Sequence, residues 1–409
     1  MLKRKLICLL SLVASTAVAK ETARSLPNIE ASLVVEKQQY FVGEPIMLTF
    51  IAHYNGATPT SLVDSDPYGQ CSPYQIAVNP ESSRREPESG PPCAPFFSLI
   101  NASCLTGGLN FVPGSEVKQR ILLNRLHDFT HPGTYVVKAT RHMSYFENWG
   151  QRDQPTGQAL ATFTFTIVVP HSPDDIKDSF SPYLEDLLTD SYQRQREAAV
   201  VIGSLSAPFL EPYLLWMLST PNLEDQAITG LRRLNTEKGR EAIFGLLKRD
   251  DSFGPYQQLA VEALQDMGDA GYAPRLLTLR NKSGNIDKKT ELLTAAARLD
   301  PKSTLSVIRP LLESSNEHDR EDGVKALEAT EQPEALPLLV PALSDSSLQV
   351  RSIAARALVF LTRQTPSKDG LSWSGEDPIT DAPFWWAWLQ ANPQLPIHLM
   401  RECPEMARW

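Results

Sequence analysis

The chain has 409 residues and a net charge of −9, with 39 Lys and Arg against 48 Asp and Glu and 42% hydrophobic residues. Its length exceeds one ordinary core and predicts two or three domains. The acidic excess repels phosphate backbones, so the composition predicts a protein that does not bind nucleic acid.

At the start, Lys3, Arg4 and Lys5 precede an apolar run from Leu6 to Ala19 that ends in Ala17-Val18-Ala19. This is the layout of a cleaved signal peptide over residues 1–19, and it predicts a periplasmic or secreted protein whose mature chain begins at Lys20. The run is too short to cross a bilayer, and no later stretch approaches the roughly 20 apolar residues a spanning helix needs, so no membrane insertion is expected. Cleavage would leave Cys71, Cys93, Cys104 and Cys403. In an oxidising compartment such thiols tend to pair, and Cys93 with Cys104 closes the shortest loop among the clustered three. No C-x-x-C pair occurs, which argues against a zinc site or an attached haem.

Residues 28–170 carry short apolar runs rich in β-branched residues: Ser32 to Val35, Ile46 to Ala52, Tyr74 to Val78, Val117 to Leu123, Thr134 to Thr140 and Ala161 to Val169. The alternation Thr162-Phe163-Thr164-Phe165-Thr166-Ile167 predicts a strand with one buried face. Gly43-Glu44-Pro45, Asn55-Gly56, Pro113-Gly114 and Pro132-Gly133 punctuate these runs as turns, and the whole reads as an antiparallel β-sandwich. Tyr40 to Ile46 and Pro132 to Val137, each entering a strand after a tight turn, resemble bacterial immunoglobulin-like and macroglobulin-like β-sandwich modules, including the intracellular proteinase-inhibitor type. That resemblance implies a fold and leaves the activity open.

Beyond Pro170 the period becomes helical and the chain repeats itself. One signature recurs as Ala198-Val201-Ile202-Leu205, Ala227-Gly230-Leu231-Leu234, Ala260-Ala263-Leu264-Met267, Leu292-Ala295-Ala296-Leu299, Gly323-Ala326-Leu327-Thr330 and Ala354-Ala357-Leu358-Leu361. Its first members lie 29, 33, 32, 31 and 31 residues apart. The i, i+3, i+4, i+7 spacing is one face of a helix, with small residues where a neighbouring helix comes close. A second helix is predicted in each of the first five units, centred on Leu214-Leu215, Leu246-Leu247, Leu276-Leu277, Val307-Ile308 and Leu338-Leu339. Ser172-Pro173 with Asp175, and Asp300-Pro301, are helix starts with a side-chain acceptor before a proline. Such pairs bury their apolar faces only by stacking.

Val350-Arg351-Ser352-Ile353-Ala354-Ala355-Arg356-Ala357-Leu358 in the last unit resembles HEAT repeats of the short class named after phycobilisome lyases. The resemblance implies a HEAT-like α-α superhelix over residues 172–365. It reaches scaffolds, lyase subunits and a metal-dependent hydroxylase, but the His-Glu pairs of the last are missing, since only His318 lies in the repeats. Residues 366–383, rich in Gly, Ser, Pro and Asp, read as a linker, and residues 384–409, opening with Phe384-Trp385-Trp386-Ala387-Trp388, as an aromatic cap on the open end.

No catalytic constellation emerges. His127 and His131 share helical spacing but run into Pro132-Gly133 and a strand, no G-x-S-x-G elbow occurs, and Gly107-Gly108 lacks a phosphate-loop context. The chain therefore reads as a multidomain all-β plus all-α protein without cofactor, metal or enzymatic activity. The expected function is a scaffold holding a protein or peptide in a groove lined by the second helices, with Tyr213, Trp216, Phe244, Arg275, Arg280 and Arg309 as contact candidates. The alternative makes the sandwich a proteinase-inhibitor-like or adhesive module and the solenoid its spacer.

Overall fold

A computed structural model describes residues 28–64, 74–80, 108–145, 156–249, 252–362 and 382–393. Residues 1–19, the four remaining cysteines with the Cys93–Cys104 pairing, residues 366–381 of the linker and residues 394–409 of the cap lie outside the described residues.

The alternating N-terminal segments form nine described strands: β1 Ile29–Val35, β2 Gln39–Phe41, β3 Met47–Tyr54, β4 Thr60–Asp64, β5 Tyr74–Asn79, β6 Gly108–Phe111, β7 Glu116–Leu122, β8 Gly133–Tyr145 and β9 Thr156–Val168. One sheet runs β1-β3-β7 and the other β2-β9-β8-β4-β6, with β5 also on β8. At 13 residues, β8 is long enough to pair with β5 through Val136–Arg141 and with β4 through Met143–Tyr145. Every pairing is antiparallel except β2 with β9, where Gln39–Phe41 runs parallel to Thr166–Val168. The short β2 is an excursion between β1 and β3, both in the other sheet, so no hairpin fixes its direction.

The two-residue period of β3 turns Leu48, Phe50, Ala52 and Tyr54 toward Tyr135 and Val137 of β8 and Phe165 and Ile167 of β9, giving both sheets one shared core. Its opposite face presents Met47, cross-strand partner of Leu122, and both join the helical core with Phe180 and Leu187. Beside them Arg120 pairs with Glu36 at 3.2 Å and donates to the Tyr183 hydroxyl at 3.4 Å, tying the β region to the first helix.

The helices begin with α1 Pro173–Leu187. Pairs follow: α2 Tyr192–Ser204 with α3 Glu211–Met217, α4 Glu224–Leu234 with α5 Glu237–Leu246, α6 Pro255–Met267 with α7 Ala273–Lys282, α8 Ile286–Leu299 with α9 Pro301–Leu312, and α10 Glu317–Thr330 with α11 Leu336–Ala342. The described helices end with α12 Leu348–Thr362 and α13 Ala382–Ala391. The expected starts are present. Ser172 Oγ accepts from the Asp175 amide at 3.3 Å while the Asp175 carboxylate accepts from the Ser172 amide at 2.8 Å, and Asp300 accepts from the Ser303 amide at 3.2 Å. The small signature residues Ala198, Ala260, Ala263, Ala326, Ala354 and Ala357 are all buried. The helical core falls into two clusters, and Leu277 packs against both, so the apolar interior is continuous.

The aromatic helix α13 starts at Ala382, two residues before the cap's expected boundary. Pro383 is tolerated there because the first turn of a helix leaves its backbone N–H groups unused. Trp385 is fully buried in the same cluster as Leu339, Ala354 and Leu358, while Trp386 is exposed.

Candidate functional site

The two helix rows differ in spacing. First helices pack on one another along the whole row, α2 on α4, α4 on α6, α6 on α8, α8 on α10 and α10 on α12. Second helices meet their row neighbours closely only where α3 meets α5. Residue size explains the difference. A Cβ at Gly203 would stand 2.4 Å from the Gln226 carbonyl oxygen, and one at Gly230 would stand 3.1 Å from Gly203 Cα. These glycines let the backbones of α2 and α4 touch.

Polar side chains stitch the first helices together. Arg196 holds both carboxylate oxygens of Asp225 at 2.6 and 2.5 Å, Arg232 reaches Asp266 at 3.1 Å, Arg298 donates to Gln265 at 2.9 Å, and Thr290 donates to Asp322 at 2.5 Å. Arg320 makes a further bidentate pair with Asp345, at 2.8 and 2.9 Å, at the turn before α12. Its guanidinium holds the Asp345 carboxyl below the usual range.

Three carboxyls on successive first helices behave oppositely. Burial pushes Glu262 of α6, Glu291 of α8 and Glu328 of α10 upward, and the Glu262 charge adds to the shift at Glu291. Arg298 opposes all three shifts, Lys325 that of Glu291, and Arg356, 3.7 Å from Glu328, that of Glu328. The row thus holds carboxylates with less compensating charge than their burial demands.

A consequence follows for stability. The folded Glu328 carboxyl titrates above its unfolded value, so its favourable contribution is complete below the unfolded pKa and lost as pH rises through the folded one. Glu328→Gln keeps the shape and removes the charge. Thermal unfolding is therefore expected to show a higher midpoint for the variant at pH 7 and no difference at about pH 4. An unchanged midpoint at pH 7 would contradict the assignment.

All six residues expected at the groove lie on second helices. Trp216 and Arg309 are exposed, and Tyr213 is half-buried against the core. Phe244 corrects the expectation, being 4% exposed beneath Arg275 and Lys248, whose charged groups stand 4.3 and 4.9 Å from its ring centre. Arg275 is committed to Glu241, whose second carboxylate oxygen accepts at 2.8 Å, and to the Tyr272 ring at 4.5 Å. That guanidinium and the Tyr272 hydroxyl pull the Glu241 carboxyl down to about 2. Arg280 is also not a groove residue: its side chain is 11% exposed and faces Asp322 of α10 at 3.7 Å. Helix periodicity does not show which residues a neighbouring repeat covers, so the burial of the groove candidates Phe244 and Arg280 is not visible in the sequence.

His127 is buried near the Ile76 carbonyl at 3.4 Å, and His131 is exposed. Among the described residues no group of three His, Cys, Asp or Glu is placed to hold a metal, and no described helix is long and apolar enough to cross a membrane.

Residues 273–359 match the family model of HEAT repeats. Among solved structures, the chain is similar to the complex of CpcE and CpcF of phycocyanin lyase from Nostoc sp. PCC7120, with 16% identity over 52% of this chain and 83% of that one, at a TM-score of 0.28. It is also similar to an engineered protein, with 17% identity over 44% of this chain and 94% of that one, at a TM-score of 0.26. No curated protein matches the chain. The helical region is thus a row of stacked helix pairs, of which residues 273–359 match HEAT repeats, a repeat type that generally mediates contacts between proteins.

Proposed function

We propose that the protein is an exported, non-catalytic scaffold that holds a basic protein or peptide segment against its row of first helices. In the proposed arrangement the continuously packed first helices are the floor and the second helices the outer wall. Such a floor offers area without the enclosed pocket a small ligand prefers. The observation that carries the reading is the placement of Glu262, Glu291 and Glu328 on three successive first helices, with Glu262 exposed and its charge raising the pKa of Glu291. A partner's cationic groups would supply the compensation these carboxylates lack. Export rests on Lys3-Arg4-Lys5 and the apolar run to Ala19. The β region, with two sheets around one core, is read as an immunoglobulin-like sandwich that fixes the N-terminal end of the solenoid through Met47, Leu122 and Tyr183.

The test is affinity for a partner captured from the native envelope fraction. The double variant Glu262→Lys/Glu291→Lys is expected to bind at least about tenfold more weakly, with wild-type affinity falling as salt rises. Arg309→Glu, on the outer wall, is expected to bind within about twofold of wild type. Equal binding by the floor variant would overturn the assignment.

A further inference from the structure

The starts of α2, α6, α8 and α12 each hold an apolar side chain open to water: Tyr192 at 61%, Tyr256 at 37%, Ile286 at 56% and Leu348 at 59%. Leu188, in the turn before α2, is open as well. Among the described residues of the helical region, Trp216 is the one large apolar side chain exposed elsewhere. Scattered apolar residues on a surface need no explanation, but a set that shares one edge does.

Polar contacts put these starts on one edge. Arg196 with Asp225, Arg232 with Asp266, Arg298 with Gln265 and Thr290 with Asp322 each join similar depths of neighbouring first helices, so those helices run parallel. Their starts are also tied directly. Arg196 donates to the Asn222 carbonyl in the turn before α4 at 2.7 Å, and the hydroxyl of Ser347, just before α12, donates to Glu317 at the start of α10. The helices α4 and α10, which lack an apolar start, begin with acids instead, Glu224 half-buried and Glu317 exposed. Along this rim the order is therefore apolar, acid, apolar, apolar, acid, apolar, with one position per repeat.

Spacing selects the conformation of a partner. Packed neighbouring helices stand about 8–10 Å apart. A polyproline II chain advances about 3.1 Å per residue with three residues per turn, so every third side chain returns to one face after roughly 9 Å. A β-strand turns successive side chains to opposite faces and cannot present every third one to the rim. Charge selects the composition. The two acids call for cations at the matching positions, and the open Tyr, Ile and Leu side chains call for apolar groups at the others.

We infer that the rim formed by the starts of the first helices docks a proline-rich basic segment in the polyproline II conformation, one turn per repeat. Tyr192, Tyr256, Ile286 and Leu348 pack against its apolar side chains, while Glu224 and Glu317 attract its lysines or arginines. Such a chain is extended before it binds, so docking costs little ordering entropy. The rim uses other residues than the proposed floor and stands whether or not the floor holds a partner.

The experiment is fluorescence anisotropy with the full chain and a labelled probe, Leu-Pro-Pro-Lys-Pro-Pro-Leu-Pro-Pro-Leu-Pro-Pro-Lys-Pro-Pro-Leu, capped at both ends. Saturable binding is expected. A scrambled peptide of the same composition is expected to bind at least tenfold more weakly, and a counterpart with norleucine for both lysines at least threefold more weakly. Tyr256→Ser/Ile286→Ser, which alters open side chains and leaves the core alone, is expected to lose at least tenfold, and Trp216→Ser, on the second-helix row, to stay within twofold. Absence of saturable binding, equal binding of the scrambled peptide, unchanged binding by the double variant, or an equal loss in Trp216→Ser would each overturn the rim.

Discussion

Gly203→Val is expected to unfold the N-terminal repeats at lower denaturant than wild type, costing about 1 to 3 kcal/mol or more. Even the first carbon of the new side chain would stand 2.4 Å from the Gln226 carbonyl oxygen and 3.0 Å from its carbonyl carbon. Both are backbone atoms, so relief requires moving α4 as a whole. Repeats contact only their neighbours, so the damage should stay local, with amide-exchange protection lost first in α2 and α4 and retained in α10 and α12. Gly245, inside α5, is the internal comparison: a Cβ there meets nothing within 4 Å. Gly245→Ala should therefore stabilise by up to about 1 kcal/mol through helix propensity. A Gly203→Val protein as stable as wild type would mean that the first helices are not in backbone contact.

Arg280→Glu is expected to destabilise the fold by about 3 to 5 kcal/mol, because it turns a buried pair into two facing carboxylates. Asp322 is only 8% exposed in its side chain and already accepts from Thr290 at 2.5 Å, leaving it little room to turn away. Arg309→Glu, on the exposed face of α9, should stay within about 0.5 kcal/mol. Urea titrations of the two variants side by side check the contrast, and equal midpoints would contradict it.

Those two arginines show where the sequence was legible and where it was not. The i, i+3, i+4, i+7 signature located every first helix, because burial repeats with the helical period wherever a neighbour packs. The caps at Ser172 and Asp300 were equally readable, since their geometry needs only residues within one turn. Apolar runs marked β1, β3, β5, β7, β8 and β9 for the same local reason, whereas the short β2, β4 and β6 fell outside those runs. The parallel pairing of β2 with β9 was not readable this way, because it joins residues over a hundred positions apart.

The side of each helix pair that would serve a partner was also out of reach. Both helices of a pair are amphipathic, and which row packs more tightly depends on contacts such as Gly203 against Gly230, between rather than within repeats.

The claim on which the account turns is that the closely packed first-helix row is the binding floor. Hydroxyl-radical footprinting of the full chain, free and in complex with its captured partner, tests it most directly. The account predicts protection of Tyr192 and Leu259 on the first helices, with Trp216 and Leu338 on the second helices modified equally in both states. Protection of Trp216 and Leu338 with Tyr192 and Leu259 unchanged would place the partner on the outer row and contradict it.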